Sequence, residues 1–490
     1  MSRTAAPDPS FASARALAAA LRAGALSSAE LLEHLLARVE RLGPRVNAVI
    51  ALDVEGARAR AREADAARAR GERWGPLHGL PMTVKDALEV TGMPTTSGAP
   101  ELAQHRPERT APAVQRLLDA GAIVYGKTNL PTYAGDFQTF NPLFGTTRNP
   151  WNPERSAGGS SGGAAAALAA GLTPLEVGSD IGGSIRNPCH CCGVYGHKPS
   201  FGLVSTRGHI PGPPGALRRS DVGVVGPMAR DAEDLAQALD LMAGPDDEDA
   251  QAWRVELPPS RGDVIDTFRV GIWLDDPTAP VDAEVGDVLQ GVADALARRG
   301  VSVREARPEL DPAESHDVYL RLLYGELAPG FPKHVLEAFD AALPGLAPDD
   351  RSLEAMSIRG MSQRHRDWMA VDERRQQLRA RWAEFFGDVD VLLCPVLPVV
   401  AIPHDEREFT KRTIAVNGRE RPYVELVFWA GLTGGVYLPA TVAPVGLSRS
   451  GLPVGVQIVG PYLEDRTPLR FASLLAHVTG GFEPPPGFTP

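Results

Sequence analysis

Residues 156–199 read SAGGSSGGAAAALAAGLTPLEVGSDIGGSIRNPCHCCGVYGHKP, and two glycine-serine runs frame this stretch. The first is Gly158-Gly159-Ser160-Ser161-Gly162-Gly163; the second is Asp180-Ile181-Gly182-Gly183-Ser184-Ile185-Arg186. Isolated runs of this kind are usually flexible linkers. Here Ser160 and Ser184 stand 24 residues apart, separated by a helical Ala164 to Ala170 and a partly apolar Leu172 to Val177, which no linker contains. Glycine at such places supplies positive φ and lets backbone approach a ligand closely, so hydroxyls and bare N–H groups are presented together. The wider segment from Asn141 to Gly215 is dense in Gly, Pro, Ser and Asn, and a long loop-rich segment in a compact domain is more often functional than not.

Outward from this stretch, short apolar runs (Leu80 to Val84, Ala122 to Tyr125) alternate with helical patterns such as Ala113 to Ala120. The alternation predicts an α/β fold with a largely parallel sheet and helices on its faces. Two helices are expected at the N-terminus, Phe11 to Arg22 and one entered through the Ser27-x-x-Glu30 capping box, as a packing layer over residues 1–70. Residues 71–245 read as the central part of the domain, which carries both glycine-serine runs. Residues 246–490 read as the remainder of the same domain, with a strand, helix, strand unit (Phe268 to Leu274, Val285 to Arg298, Val301 to Arg304), a helical Pro308 to Arg381 and buried strands at Val389 to Leu393 and Val454 to Val459. The tail from Pro484 to Pro490 is expected to be a loose terminus.

Composition narrows the class. With 490 residues, 43% of them hydrophobic, the chain can bury a large core. Fifty Lys and Arg against 61 Asp and Glu leave a net charge of −11, which repels polyanions and argues against nucleic acid as a partner. Four Cys, three of them at Cys189, Cys191 and Cys192, make no disulfide framework. Neither a signal peptide nor an 18-residue apolar run is found, so a cytoplasmic protein free of the membrane is expected.

Three motifs mislead. Gly121-x-x-x-x-Gly126-Lys127-Thr128 matches a phosphate-binding loop by letter, but Ala122, Ile123, Val124 and Tyr125 form an apolar strand and Pro131 follows where a helix should begin. Gly158-x-Ser160-x-Gly162 matches the nucleophile elbow of a Ser-His-Asp hydrolase, yet Asn152-Pro153-Glu154-Arg155-Ser156 is no strand, and none of the 11 His stands out as its base. Cys189, His190, Cys191, Cys192 and His197 invite a metal, but adjacent Cys191 and Cys192 lack zinc-ligand spacing, so no metal is expected.

What remains is Lys85, after the strand-like Pro81-Met82-Thr83-Val84, with Ser160 and Ser184. In order and spacing these resemble the amidase signature family. Gly79-Leu80-Pro81, Lys127-Thr128-Asn129, Asn149-Pro150-Trp151, Gly196-x-Lys198-Pro199 and Gly451-Leu452-Pro453-Val454-Gly455-Val456-Gln457 extend the likeness over most of the chain. The resemblance implies a single domain around a twisted mixed β-sheet sandwiched between α-helices, and amide hydrolysis without cofactor. It implies Ser184 as nucleophile, Ser160 as a bridging serine held by a cis peptide, and Lys85 as base, with Ser161 supporting. The chemistry is coherent, since a serine hydroxyl must lose its proton as it attacks, and a lysine takes that proton only when desolvation keeps it neutral. Backbone N–H groups of Ile181, Gly182, Gly183 and Ser184 are expected to meet the carbonyl oxygen, with Asp180 and Arg186 orienting their loop.

Substrate selection is expected in the loop Tyr133, Ala134, Gly135 to Phe137 and near Phe428, Trp429 and Tyr437, each aromatic having core packing as its alternative. Small Ala134 and Gly135 leave room, and aromatic walls with few charges favour a neutral, hydrophobic amide, anilide, carbamate or ester. The competing readings are the amidase subunit of a glutamine-dependent amidotransferase, a Ser-His-Asp esterase and an inactive binding protein. Against the first, Glu425 is the only acid between Val424 and Pro439. A homodimer stays open as the assembly.

Overall fold

The computed structural model describes residues 8–489, so the first seven residues of the expected N-terminal layer lie outside the described residues. Both expected N-terminal helices form, at Ala14–Ala23 and Ser28–Val46. The second is entered as its sequence dictates: Ser27 Oγ accepts from the Glu30 N–H and Glu30 Oε2 accepts from the Ser27 N–H.

Eight strands make the principal sheet, in the order Ser302–Glu305, Arg269–Ile272, Val391–Pro395, Pro453–Val459, Ala440–Leu447, Tyr195–Lys198, Val224–Ala229, Leu175–Asp180. A separate three-stranded sheet sets Ile123–Thr128 between Val49–Leu52 and Pro81–Lys85, the last pair parallel. The expectation of a largely parallel sheet is corrected: five of the seven pairings in the principal sheet are antiparallel. The alternation of apolar runs and helices does mark crossover units, but it cannot show what comes between them. Leu175–Asp180 and Tyr195–Lys198, joined through the short helix Arg186–Cys192, do run in the same direction, yet Val224–Ala229 inserts antiparallel between them. The hairpin of Ala440–Leu447 and Pro453–Val459 adds two more antiparallel pairings on its flanks.

The alanine-rich helix Gly162–Ala169 is buried all round and packs against strands of both sheets. Alanine is what such a position demands, since only small side chains let a helix lie between two sheets at close range. Helix Ala283–Arg298 is of the other kind, with Val285, Leu289, Val292 and Leu296 buried on one face against the principal sheet. The polar segment after it forms Pro312–Leu327, Lys333–Ala342, Leu353–Met361 and His365–Asp388. One hydrophobic core runs from Ala14 to Phe488, so the three stretches read from the sequence are parts of one α/β domain. Among the described residues, no helix is long and apolar enough to cross a membrane.

The described part of the C-terminal tail, residues 484–489, departs from expectation, Pro490 lying outside the described residues. Phe488 is buried, its carbonyl accepts from Arg38 Nη2 at 2.9 Å, and the Arg45 guanidinium lies 4.2 Å from its ring centroid. The polar, proline-rich texture concealed a single aromatic anchor. Phe488→Ala is expected to lower unfolding free energy by about 1.5–3 kcal/mol, the value of one buried aromatic. An unchanged denaturation midpoint would place the tail outside the core.

Candidate active site

Lys85 ends the strand Pro81–Lys85, every residue of which is buried. Its Nζ makes three hydrogen bonds, all to hydroxyls: Ser160 Oγ at 2.6 Å, Ser161 Oγ at 2.9 Å and Ser179 Oγ at 2.9 Å. Burial drives the Lys85 pKa down to about 7, against the opposing pull of the Asp180 and Glu176 carboxyls. Near neutrality such an amine is therefore divided between a cation and a free base.

The first glycine run must pass through a backbone crevice to bring Ser160 here. A Cβ on Gly159 would fall 2.5 Å from the Asp136 carbonyl oxygen and 2.7 Å from the Gln138 nitrogen, so only glycine fits. The Gly159–Ser160 peptide is cis. The Ser161 N–H donates to the Ser184 carbonyl at 3.0 Å, which ties the two runs together. In the second run Gly183 has φ +101°, and a Cβ there would lie 2.5 Å from Asn187 Oδ1.

Asp180 holds that second loop from within. Its carboxylate accepts from the N–H groups of Gly183 at 2.8 Å and Ile185 at 3.1 Å, and from Arg186 Nε and Nη2 at 2.9 and 2.8 Å. Burial alone would raise its pKa; the Arg186 guanidinium and the loop N–H groups instead hold it well below the ordinary carboxylate range. Arg186 Nη1 reaches onward to the Ala430 carbonyl, Thr433 Oγ1 and Gln457 Oε1 at 3.0, 2.7 and 2.6 Å. The Gly183 N–H is thus engaged by Asp180, whereas those of Ile181, Gly182 and Ser184 make no hydrogen bond among the described residues. The Ser184 hydroxyl likewise has no partner there, and Ser184 is 5% exposed where Ser160 and Lys85 are fully buried. One hydroxyl that meets solvent, backed by a buried hydroxyl and a buried amine, is a layout suited to covalent attack on an acyl group.

Residues 30–469 match the protein family described as Amidase. The chain belongs to the amidase signature family. It is accordingly an amidase, of a family whose members hydrolyse amides. A glutamyl-tRNA(Gln) amidotransferase subunit from Roseiflexus sp. (strain RS-1) is 34% identical over 487 residues, covering 94% of this chain and 95% of that protein. Acylamidase of Rhodococcus erythropolis is 34% identical over 470 residues, with 94% of each covered. The solved structure of a bacterial aryl acylamidase of the same family superposes with a TM-score of 0.79 at 25% identity, covering 96% of both chains.

The motifs set aside from the sequence take structural places in this amidase. Lys127 is buried in a strand, its Nζ on the Leu88 carbonyl at 2.7 Å and Asp86 at 3.3 Å. Cys189, Cys191 and Cys192 are buried thiols on the helix Arg186–Cys192, and no cluster of metal-ligating side chains occurs among the described residues.

The residues expected to line a pocket lie in two settings, one buried and one at the surface. Phe428 and Trp429 are core residues on the helix Phe428–Gly434, which is buried on every side; Trp429 meets Trp273 edge-on at 5.6 Å. Tyr437 stacks on Phe201 at 4.1 Å and gives its hydroxyl to Asp221. Tyr133 is 36% exposed and bonds Glu101 outside, although it and Ala134 have φ of +53° and +57°, and Gly135 after them is exposed. A helix apolar all round has no face that periodicity could single out. Ile181 packs on a small buried cluster of Tyr319, Leu320, Leu323, Met356 and Val427. Tyr319 also donates to the Ile181 carbonyl at 2.9 Å. Tyr319, Ser179 and His209 escaped sequence analysis. Ser179 adjoins Asp180 and was within reach, while Tyr319 lies in an ordinary helix and His209 in an irregular loop.

Asp180→Asn strips the Arg186 cation of its buried counterion, and removing one partner of such a pair costs about 3–5 kcal/mol. Urea unfolding is expected to show that loss. A change below about 1 kcal/mol would mean the pair does not hold the loop.

Proposed function

We propose that this amidase cleaves the C–N bond of neutral, hydrophobic or aryl amides, anilides or carbamates, and the acyl C–O bond of esters of similar shape, through an acyl-enzyme on Ser184. The observation that carries the reading is the fully buried Lys85 amine, 2.6 Å from Ser160 Oγ and shifted to about 7, behind the solvent-facing Ser184. Ser184 Oγ attacks the carbonyl carbon while its proton moves to Ser160 Oγ and the Ser160 proton moves to the lone pair of Lys85. The oxygen turned negative is met by the free N–H groups of Ile181, Gly182 and Ser184; one such donor is worth about 3–4 kcal/mol in comparable sites. The proton then returns through Ser160 to the leaving nitrogen, which departs as an amine when the C–N bond breaks. Water adds to the Ser184 ester by the same route, and the acid leaves. Gly183 supports the loop through Asp180 and donates nothing to the oxyanion.

The apolar cluster against Ile181 supports a hydrophobic acyl or aryl group as the preferred substituent. The four free, buried cysteines suit a reducing cytoplasm. A second reading, the catalytic subunit of a glutamine-dependent amidotransferase, has the 34% identity to the Roseiflexus protein in its favour. Against it, Glu425 is engaged by Arg421 and leaves no acid in that segment for a glutamine amine.

The deciding assay sets the purified chain, alone and without added metal, against aryl amides, aryl carbamates, aryl esters and glutamine, beside Ser184→Ala. Aryl amide or carbamate turnover that falls by about 10³-fold or more in the variant is expected. Faster turnover of glutamine than of any aryl amide would favour the amidotransferase reading. Because only the neutral amine is a base, kcat/KM for an uncharged amide should rise with pH to a plateau above about 7. A flat profile from pH 5 to 9 would remove Lys85 from the role.

A further inference from the structure

Ser179 has two partners. Its Oγ accepts from Lys85 Nζ at 2.9 Å and lies 2.7 Å from His209 Nε2. His209 stands on a loop stitched to the segment just after Lys85: the Glu89 N–H donates to the Gly208 carbonyl and the Ile210 N–H to the Ala87 carbonyl, each at 2.8 Å. Ser97 Oγ adds a bond to the Ile210 carbonyl at 3.1 Å. The imidazole is therefore delivered to Ser179 by the strand end that carries Lys85, and it is only partly buried where the amine is wholly so.

A neutral amine has two N–H donors and one lone pair, while each neighbouring hydroxyl has one proton to place. Ser161 Oγ directs its proton to the Ser179 carbonyl at 3.4 Å, so it faces Lys85 as an acceptor. If the Ser179 proton points at His209 Nε2, Ser179 also faces Lys85 only as an acceptor. The two N–H groups of Lys85 are then taken by Ser161 and Ser179, and the lone pair is left for the Ser160 hydroxyl. We propose that His209 is a positioning residue for the amidase reaction: by accepting the Ser179 proton it aims the Lys85 lone pair at Ser160. This rests on the lysine-base reading above.

The imidazole suits the task because burial, with the nearby Lys85 charge, lowers its pKa to about 3, so the ring stays neutral over the working range, and with its one proton on Nδ1 it turns the Nε2 lone pair toward Ser179. The other charged groups around it are occupied. Glu89 pairs with His105 at 3.0 Å, Arg207 on its own loop pairs with Glu248 at 2.8 Å, and Asp180 below Ser179 is held by Arg186.

Without His209 the Ser179 hydroxyl can rotate and donate to Lys85, competing with Ser160 for the lone pair. Such a bond favours the neutral amine, so the Lys85 pKa falls as the rate falls. The experiment measures kcat, KM and the pH profile for a 4-nitroanilide, or a 4-nitrophenyl ester where the anilide is not turned over. It compares wild type, His209→Ala, His209→Gln, Ser179→Ala and the Ser179→Ala/His209→Ala pair, with thermal melting as a check on folding. His209→Ala is expected to lower kcat about 10- to 100-fold with KM within about twofold, and to move the acid limb to lower pH. His209→Gln, whose amide oxygen can accept the same proton, should restore most of the rate, and His209→Ala should add nothing once Ser179 is gone. An unmoved acid limb, no rescue by glutamine, or losses that multiply in the pair would overturn the proposal. An active Lys85→Ala would overturn both this proposal and the lysine-base reading; an inactive Lys85→Ala beside an indifferent His209→Ala would overturn this one alone.

Discussion

A lysine amine closed off from water among hydroxyls is the constraint on which the rest of the site depends. Desolvating an ammonium is costly, and hydroxyls compensate for it less than a carboxylate would. Serine oxygens from two separate segments must therefore be within reach at once, Ser160 and Ser161 from the glycine run and Ser179 from the strand Leu175–Asp180. The small sheet that carries Lys85 and the principal sheet that carries Ser179 are joined at this nitrogen. The small glycine and alanine residues of Gly162–Ala169 allow them to come that close.

The second requirement is a stiff loop of bare N–H groups beside Ser184. Glycine alone would make it mobile, so rigidity has to come from outside the glycines. Asp180 supplies it by binding the N–H groups of Gly183 and Ile185 along with Arg186, and Arg186 passes the restraint to Ala430, Thr433 and Gln457. Residues 244 to 271 positions away in sequence thereby set the shape of the loop from Asp180 to Arg186. The distant Gly-Leu-Pro-Val-Gly-Val-Gln run belongs to the site through one amide oxygen, that of Gln457, and not through contact with Ser184.

Legibility from sequence followed how local the cause was. Ser160 and Ser184 stood out because glycine at fixed spacing has a local reason to be there, and the capping box at Ser27 and Glu30 declared its helix for the same reason, whereas Lys85 at a strand end was marked by the family resemblance. Strand direction did not, because Val224–Ala229 enters between two parallel strands from 26 residues beyond the second of them. Pocket walls were harder still. Phe428 and Trp429 are as aromatic as any substrate wall, and only three-dimensional packing distinguishes a core helix from a lining one. Ile181, named for its N–H group, turned out to carry the apolar contact as well.

The charges around Lys85 show why desolvation governs its proton. A bare carboxylate nearby would stabilise the ammonium and undo the shift. Asp180 is committed to Arg186, and Lys127 on the neighbouring strand is set against Asp86 at 3.3 Å. Glu176 is the remaining acid, and burial raises its own pKa to about 7, with the Thr83 and Thr128 hydroxyls and the Val177 N–H beside it. Near neutrality it therefore carries only part of a charge, and its pull on Lys85 weakens as it takes up a proton. Protonating Glu176 removes one of the two carboxylate charges that raise the affinity of Lys85 for its proton. A neutral residue at position 176 would leave Lys85 the lower pKa, with Asp180 as the carboxylate still opposing desolvation.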